Sequence, residues 1–274
     1  MKKPNLFIVG APKSGSSFLY EKLEQHKELY FTTTKELNFF SYQELEEKSY
    51  YKDFKIKDLS KYLQLFEKSK QQKYLIDASV SYFVYPTVPN KLKDFNSNAK
   101  IIMILREPVK RAFSHYLMDI RMGYANKSLV DYLSNPEKYQ AYYTQYIGNS
   151  LYSKNIKNYT DVFGKENVCI LKLENLKQEL SKLFNFLGVE DITNEIKINS
   201  KVNPNKEAKN SFARFFQRNR NITEKLKLLI PKFVINIANK ILYGKPKRVE
   251  MNQEEKTILN KLLKEEIIFY KNIL

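Results

Sequence analysis

The sequence predicts an α/β fold: a doubly wound parallel sheet flanked by helices, with a helical extension at its C-terminal end. Two observations carry that expectation. Four short apolar runs, NLFIVG (5–10), KYLIDAS (73–79), KIIMILR (100–106) and NVCILKL (167–173), read as strands buried on both faces, the environment of a parallel sheet. Helical patterns stand between them, and alternation of strand with helix demands crossover connections, which are right-handed.

The elements follow in order along the chain. The stretch 16–26 (SSFLYEKLEQH) is helical after the first strand, and 87–95 (TVPNKLKDF) is helical before the third. PVKRAFSHYLMDIRM (108–122) starts on Pro108, whose missing N–H costs nothing in a first turn, and 150–164 stops on Gly164 as a helix end should. From 191 to 209 the chain is polar; helical stretches are expected at about 210–221 and 223–243, then one amphipathic helix from Gln253 to about Asn272. No repeat or low-complexity linker splits the chain, so residues 1–274 are expected to form one domain, an α/β core over about 1–190 and a basic, all-helical extension over about 191–274.

Composition narrows the chemistry. One cysteine, Cys169, cannot form an internal disulfide, and with only His26 and His115 beside it zinc and Cys–His chemistry are nearly excluded. The apolar run after MKKPN is too short for a signal peptide and no window has the length of a membrane span, so a cytoplasmic protein is expected. The net charge of +17 calls for an anionic partner, and between Lys201 and Arg248 stand 13 Lys or Arg against two Glu. Nucleic acid, an acidic glycan, a nucleotide or a membrane surface could each use such a field, as could plain solvation. EKLKLLIPKFVINIANKILY (224–243) is amphipathic enough to rest on a membrane, with core packing as the alternative.

The first strand runs into GAPKSGSS (10–17), and a strand, a glycine loop and a helix together aim backbone N–H groups and a positive helix end at an anion. Lys13 adds a full charge; the hydroxyls of Ser14, Ser16 and Ser17 can donate to phosphate oxygens. The loop is P-loop-like, yet an ATP loop has lysine directly after its second glycine, where this chain has Ser16. Asp77, near the end of the second strand, is the acidic partner a magnesium site would enlist. Arg106 closes a third strand at its carboxyl edge, where open α/β sheets bind ligands, and Ser114 follows on the next helix; a guanidinium fork with a hydroxyl suits a terminal phosphate. Two phosphate sites imply a doubly phosphorylated nucleotide.

With both stretches in view, the sequence resembles the sulfotransferases that use 3′-phosphoadenosine-5′-phosphosulfate (PAPS), in their carbohydrate and bacterial branch of heparan-sulfate type. TKELNFF (34–40), DASVSYF (77–83), GNSLYSKNIKNYTDVFG (148–164) and LKLENLK (171–177) resemble further family segments in the same order, so the likeness covers most of residues 5–190. It implies PAPS as co-substrate, 3′,5′-adenosine bisphosphate as product and no metal requirement. Lys13, Ser14, Gly15, Ser16 and Ser17 would hold the 5′ group, and Arg106 and Ser114 the 3′-phosphate. Glu36 would be the base, and Lys13 would neutralise the leaving oxygen. Tyr152 and Lys209 would reach the nucleotide, with Lys247 and Arg248 as alternative lids.

Two positions depart from the pattern: Asn38 stands where relatives often have His, and Ala78 where some carry a second catalytic Lys, for which Lys35 is the available substitute. His26 and His115 are expected to pack, not to catalyse. The acceptor implied is a carbohydrate hydroxyl, on a surface polysaccharide or glycolipid, without nucleic acid as partner. Peripheral membrane contact through the basic C-terminal helices is open, as is the oligomeric state. The competing readings are a magnesium-dependent kinase and a basic module that binds polyanions or a membrane surface without turnover.

Overall fold

The computed structural model describes residues 2–51, 55–196, 207–208, 243–244 and 249–273. Its centre is a five-stranded, all-parallel sheet of β1 (Leu6–Gly10), β2 (Leu29–Phe31), β3 (Tyr74–Ala78), β4 (Lys100–Leu105) and β5 (Val168–Lys172), in the order β2-β3-β1-β4-β5. The four strands expected from apolar runs are present, and their registers, Leu6↔Ile76 and Leu6↔Lys100 among them, hold all strands in one direction. β2 went unpredicted because three residues are too short for a periodicity, and it forms by pairing with β3 through Leu29↔Tyr74.

Successive residues of β1 point to opposite faces, and each face has its own core. Phe7 and Val9 join Tyr62, Phe66, Tyr82 and Phe83, while Leu6 and Ile8 meet Leu19, Leu23, Leu180 and Phe184. Helices cover both faces, which is why the strands lack polar alternation. α1 (Ser16–Leu23) and α9 (Leu176–Leu187) pack on one face, α2 (Tyr42–Lys48), α3 (Leu59–Gln64), α4 (Val88–Phe95) and α8 (Tyr152–Phe163) on the other, and α5 (Pro108–Met122), α6 (Leu129–Ser134) and α7 (Gln140–Tyr146) form a third cluster.

The C-terminal stretch departs from expectation in two ways. The single helix expected from Gln253 is two, α10 (Gln253–Leu262) and α11 (Lys264–Asn272), broken at Leu263. Leu263 is fully buried beside Leu259, so the first half packs on α5 and α6 while the second turns onto α8. There the Glu266 carboxylate accepts hydrogen bonds from the Ser153 N–H (2.9 Å) and hydroxyl, filling an open donor at the start of α8. The extension is also not purely helical: Glu207–Ala208 pair antiparallel with Tyr243–Gly244. The helices expected at about 210–221 and 223–243, and with them most of the candidate membrane-resting stretch, lie outside the described residues except for Tyr243, which stands in the antiparallel pair. Among the described residues no helix is long and apolar enough to cross a membrane.

Because every strand of the central sheet runs the same way, the loops that follow β1, β2, β3 and β4 emerge at one edge. β1 lies between β3 and β4, where the chain reverses its direction of winding, and that is where an open α/β sheet presents its crevice.

Candidate functional site

The loop after β1 has little freedom. At Gly10 a Cβ would lie 2.5 Å from that of Phe83, and Gly15, at φ 92°, caps α1 with a Cβ position 2.6 Å from Leu173 Cδ1. Left-handed backbone and close approach together require glycine there. The Ala11 N–H donates to the Ile104 carbonyl (2.8 Å), tying the loop to β4. Ser14 is fully buried; its Oγ makes no hydrogen bond within 3.5 Å among the described residues, and the Tyr152 phenol is the polar group it acts on. A buried hydroxyl held this loosely in a glycine loop fits a phosphate oxygen. Ser16 is buried in the first turn of α1, Ser17 is exposed, and no acidic residue stands in that turn.

Lys13, itself at φ 67°, donates from Nζ to the thioether of Met118 on α5 (3.5 Å). A thioether is a weak acceptor and carries no charge. Burial first, then the cations Arg121, Arg106 and Arg111, bring Lys13 down from 10.5 to about 8, while Asp119 works the other way. Arg106, one residue beyond β4, donates to the Lys13 carbonyl (3.5 Å). It sits just ahead of α5, whose start is fixed by Glu107 accepting from the Val109 and Lys110 N–H groups and by Pro108 in the first turn. Ser114 is half-buried on α5.

Tyr152, expected at the nucleotide, is fully buried, and its hydroxyl donates to the Arg106 carbonyl (2.7 Å), so it braces Arg106. Burial pushes its phenol up to about 12. Lys209, Lys247 and Arg248 lie outside the described residues.

The second loop brings Glu36 to the same edge. Its N–H donates to the Ala78 carbonyl (3.0 Å) at the end of β3, and its Oε2 accepts from the Val80 N–H (2.9 Å). Lys35 donates to Glu36 Oε1 (2.6 Å), Ser16 Oγ (3.3 Å) and Ser17 Oγ (3.5 Å). Glu36 and Asn38 both have left-handed backbones, φ 62° and 56°, and Asn38 supports that shape. Its Nδ2 donates to the Glu36 carbonyl (3.0 Å), its N–H to Ser79 Oγ (3.1 Å), and its Oδ1 accepts from Ser81 (2.6 Å). A polar residue that hydrogen-bonds its own turn tolerates this conformation, so Asn38 serves as a turn brace.

Asp77 lies beneath this loop, fully buried, and accepts from Ser79 on one oxygen (2.6 Å) and from Tyr62 and Tyr82 on the other (2.8 Å each). Burial is the larger influence and raises it to about 6 against those hydrogen bonds. Both oxygens serve the core and the Glu36 loop, which removes the acidic partner that the kinase reading had enlisted. His26 accepts from the Glu28 N–H at Nδ1 and contacts the Glu190 carbonyl through Nε2 (2.9 Å), a packing role.

The sequence reading missed Arg111. Fully buried, it uses all five N–H donors: on Ser150 Oγ (2.6 Å), the Pro12 carbonyl (3.4 Å), His115 Nδ1 (3.0 Å), and the carbonyls of Gln145 (2.9 Å) and Tyr146 (2.5 Å). It joins the glycine loop, α5, the end of α7 and the turn after it. With Nδ1 accepting, His115 donates from Nε2 to Tyr51 (2.8 Å), and Tyr51 (2.5 Å), Tyr50 and Tyr146 (2.8 Å) donate to Asp119. Burial, then Arg111 and Lys13, hold His115 well below its ordinary range. Arg111 stands inside the segment that pointed to Arg106 and Ser114, but its sequence neighbours do not reveal which loop its fork will gather.

Lys13 thus lies within the electrostatic reach of Arg106, Arg111 and Arg121, and Lys35 links the Glu36 carboxylate to Ser16 and Ser17 of the same loop. Such a place can bind the phosphates of a nucleotide and present a base to an incoming hydroxyl.

Comparison with known proteins agrees with this geometry. The family model of the sulfotransferase domain matches residues 3–226. A membrane-associated sulfotransferase of Dictyostelium discoideum is 31% identical over 125 residues, 46% of this chain and 25% of that protein. Heparan sulfate glucosamine 3-O-sulfotransferase 5 of Mus musculus is 31% identical over 113 residues, 41% and 30% of the two chains. The chain therefore spans less than a third of the length of either relative. The crystal structure of a sulfotransferase from Alicyclobacillus acidocaldarius superposes with a TM-score of 0.66 at 31% identity, covering 74% of this chain and 88% of that one.

Proposed function

Because this chain belongs to the sulfotransferase-domain family, we propose that it carries a sulfuryl group from PAPS to a hydroxyl of a carbohydrate acceptor. The acceptor oxygen forms a bond to sulfur as the bond from sulfur to the 5′-phosphate oxygen breaks. The hydroxyl proton passes to Glu36, and 3′,5′-adenosine bisphosphate departs. The loop amides, Ser14, Ser16 and Ser17 hold the 5′ group in line with the acceptor, and Lys13 neutralises charge that develops on the bridging oxygen. Arg106, with Ser114, takes the 3′-phosphate.

One observation carries the reading: the Arg106 guanidinium donates to the carbonyl of Lys13, which brings two cations together at the glycine loop after β1. Two cations at the ends of neighbouring strands suit a ligand with two anionic ends. Carbohydrate as acceptor is supported by the heparan sulfate glucosamine relative. Contact with a membrane surface is supported by the net charge and by the membrane-associated relative.

The test is calorimetric titration, in EDTA, with 3′,5′-adenosine bisphosphate and with ATP, on the wild type and Arg106→Ala. The bisphosphate should bind, and loss of a charge-assisted pair should weaken it by about 10- to 100-fold in the variant. ATP binding that appears only when magnesium is restored, with the bisphosphate ignored, would establish the kinase reading instead. Salt-sensitive binding of polyanions without nucleotide binding would point to a module that does not turn over.

A further inference from the structure

An ATP-binding loop places a lysine directly after its second glycine, where the ammonium meets the terminal phosphates. Here Ser16 stands at that place, and Lys13 lies two residues before Gly15. The cation missing from the slot is delivered by another part of the chain. Lys35, nineteen positions along from Ser16, has its Nζ 3.3 Å from Ser16 Oγ and 3.5 Å from Ser17 Oγ. Its third N–H lies on Glu36 Oε1 at 2.6 Å. An ammonium has three donors, and these contacts use all of them. Because both serine oxygens accept from Lys35, their own protons are free to point at an anion.

We propose that Lys35 is a ligand of the 5′-phosphosulfate, supplying from the loop after β2 the charge that an ATP loop carries within itself. The inference rests on the sulfotransferase reading and deepens it at the 5′ end of the nucleotide. Two further features support it. Ser16 and Ser17 open α1, where the helix dipole favours negative charge, and Ser14 in the same loop has a fully buried hydroxyl with no hydrogen bond within 3.5 Å among the described residues. The Lys35 side chain is 19% exposed and that of Glu36 33%, so neither is sealed from solvent. A bound anion would compete with Glu36 and the serine hydroxyls for the three donors of the ammonium. One cation then touches both the 5′ anion and the candidate base, which places the acceptor proton next to the group being transferred.

The experiment compares two ligands on the full chain, 3′,5′-adenosine bisphosphate and adenosine 3′-monophosphate, which differ only in the 5′ group. In Lys35→Met the affinity for the bisphosphate should fall roughly tenfold or more, that for the monophosphate should be unchanged, and Lys35→Arg should restore most of the loss. Thermal unfolding of each variant, matched to wild type, keeps a folding defect from passing as a binding defect. An equal loss for both ligands, or no loss for either, overturns the role of Lys35 while leaving the functional reading in place. Failure of the wild type to bind the bisphosphate overturns both.

Discussion

Lys13 lies among Arg121, Arg106 and Arg111, and burial together with that company brings its ammonium down to about 8 in the free protein. A bound 5′ anion reverses the balance by giving the ammonium a counter-charge, so its pKa climbs back toward the ordinary 10.5. Binding must then take up a proton at alkaline pH. With the free lysine half-protonated at pH 8, uptake is about 0.5 proton per nucleotide there and about 0.9 at pH 9, and the dissociation constant rises about tenfold from pH 7 to pH 9. In the free protein the sign is opposite. The folded pKa lies below the unfolded one, so the unfolded chain binds more protons between about 8 and 10.5, and stability increases with pH through that window. The assay is calorimetry with 3′,5′-adenosine bisphosphate at pH 8 and 9, in paired buffers of different ionisation enthalpy, on wild type and Lys13→Met. Uptake near zero at pH 9 in the wild type, or uptake that persists unchanged in Lys13→Met, would refute the reasoning.

Two further perturbations test how the loop is held. Gly15→Ala places a Cβ on left-handed backbone and against Leu173, which should cost about 2–3 kcal/mol in urea unfolding and abolish bisphosphate binding; an unchanged midpoint would contradict the strain argument. Arg111→Lys leaves three donors for five buried acceptors without the planar fork, and should destabilise the protein by about 2–4 kcal/mol; a loss under about 0.5 kcal/mol would show that the five contacts do not matter.

The placement of much of the candidate site was legible because strand ends and loops are local features. Gly10 through Ser17 and Arg106 could be located from the strands they terminate, and Glu36 from the segment it belongs to. Lys35 was legible as a charge near the base but not as a neighbour of Ser16. Asp77 read as an acidic partner for a magnesium site, whereas the hydroxyls of Ser79 and Tyr82 just after it and of Tyr62 before it occupy its oxygens. Tyr152 read as a nucleotide contact, and its hydroxyl instead lies on the Arg106 carbonyl, 46 positions away. Arg111 shares a helix face with His115 one turn on, but its other partners lie in the loop after β1, at the end of α7 and just after it.

By itself the sequence determined the parallel sheet, the glycine loop at β1 and the cationic character of the crevice, since apolar runs, glycine positions and charges act within a few residues of one another. Only the tertiary structure decided that Leu29–Phe31 completes the sheet, that the last helix breaks at Leu263 to face two surfaces, and which polar groups are engaged and which stay open. The physical reason is the same in each case. A buried donor or charge takes whichever partner the packing of distant segments brings within about 3 Å, and no local pattern contains that distance.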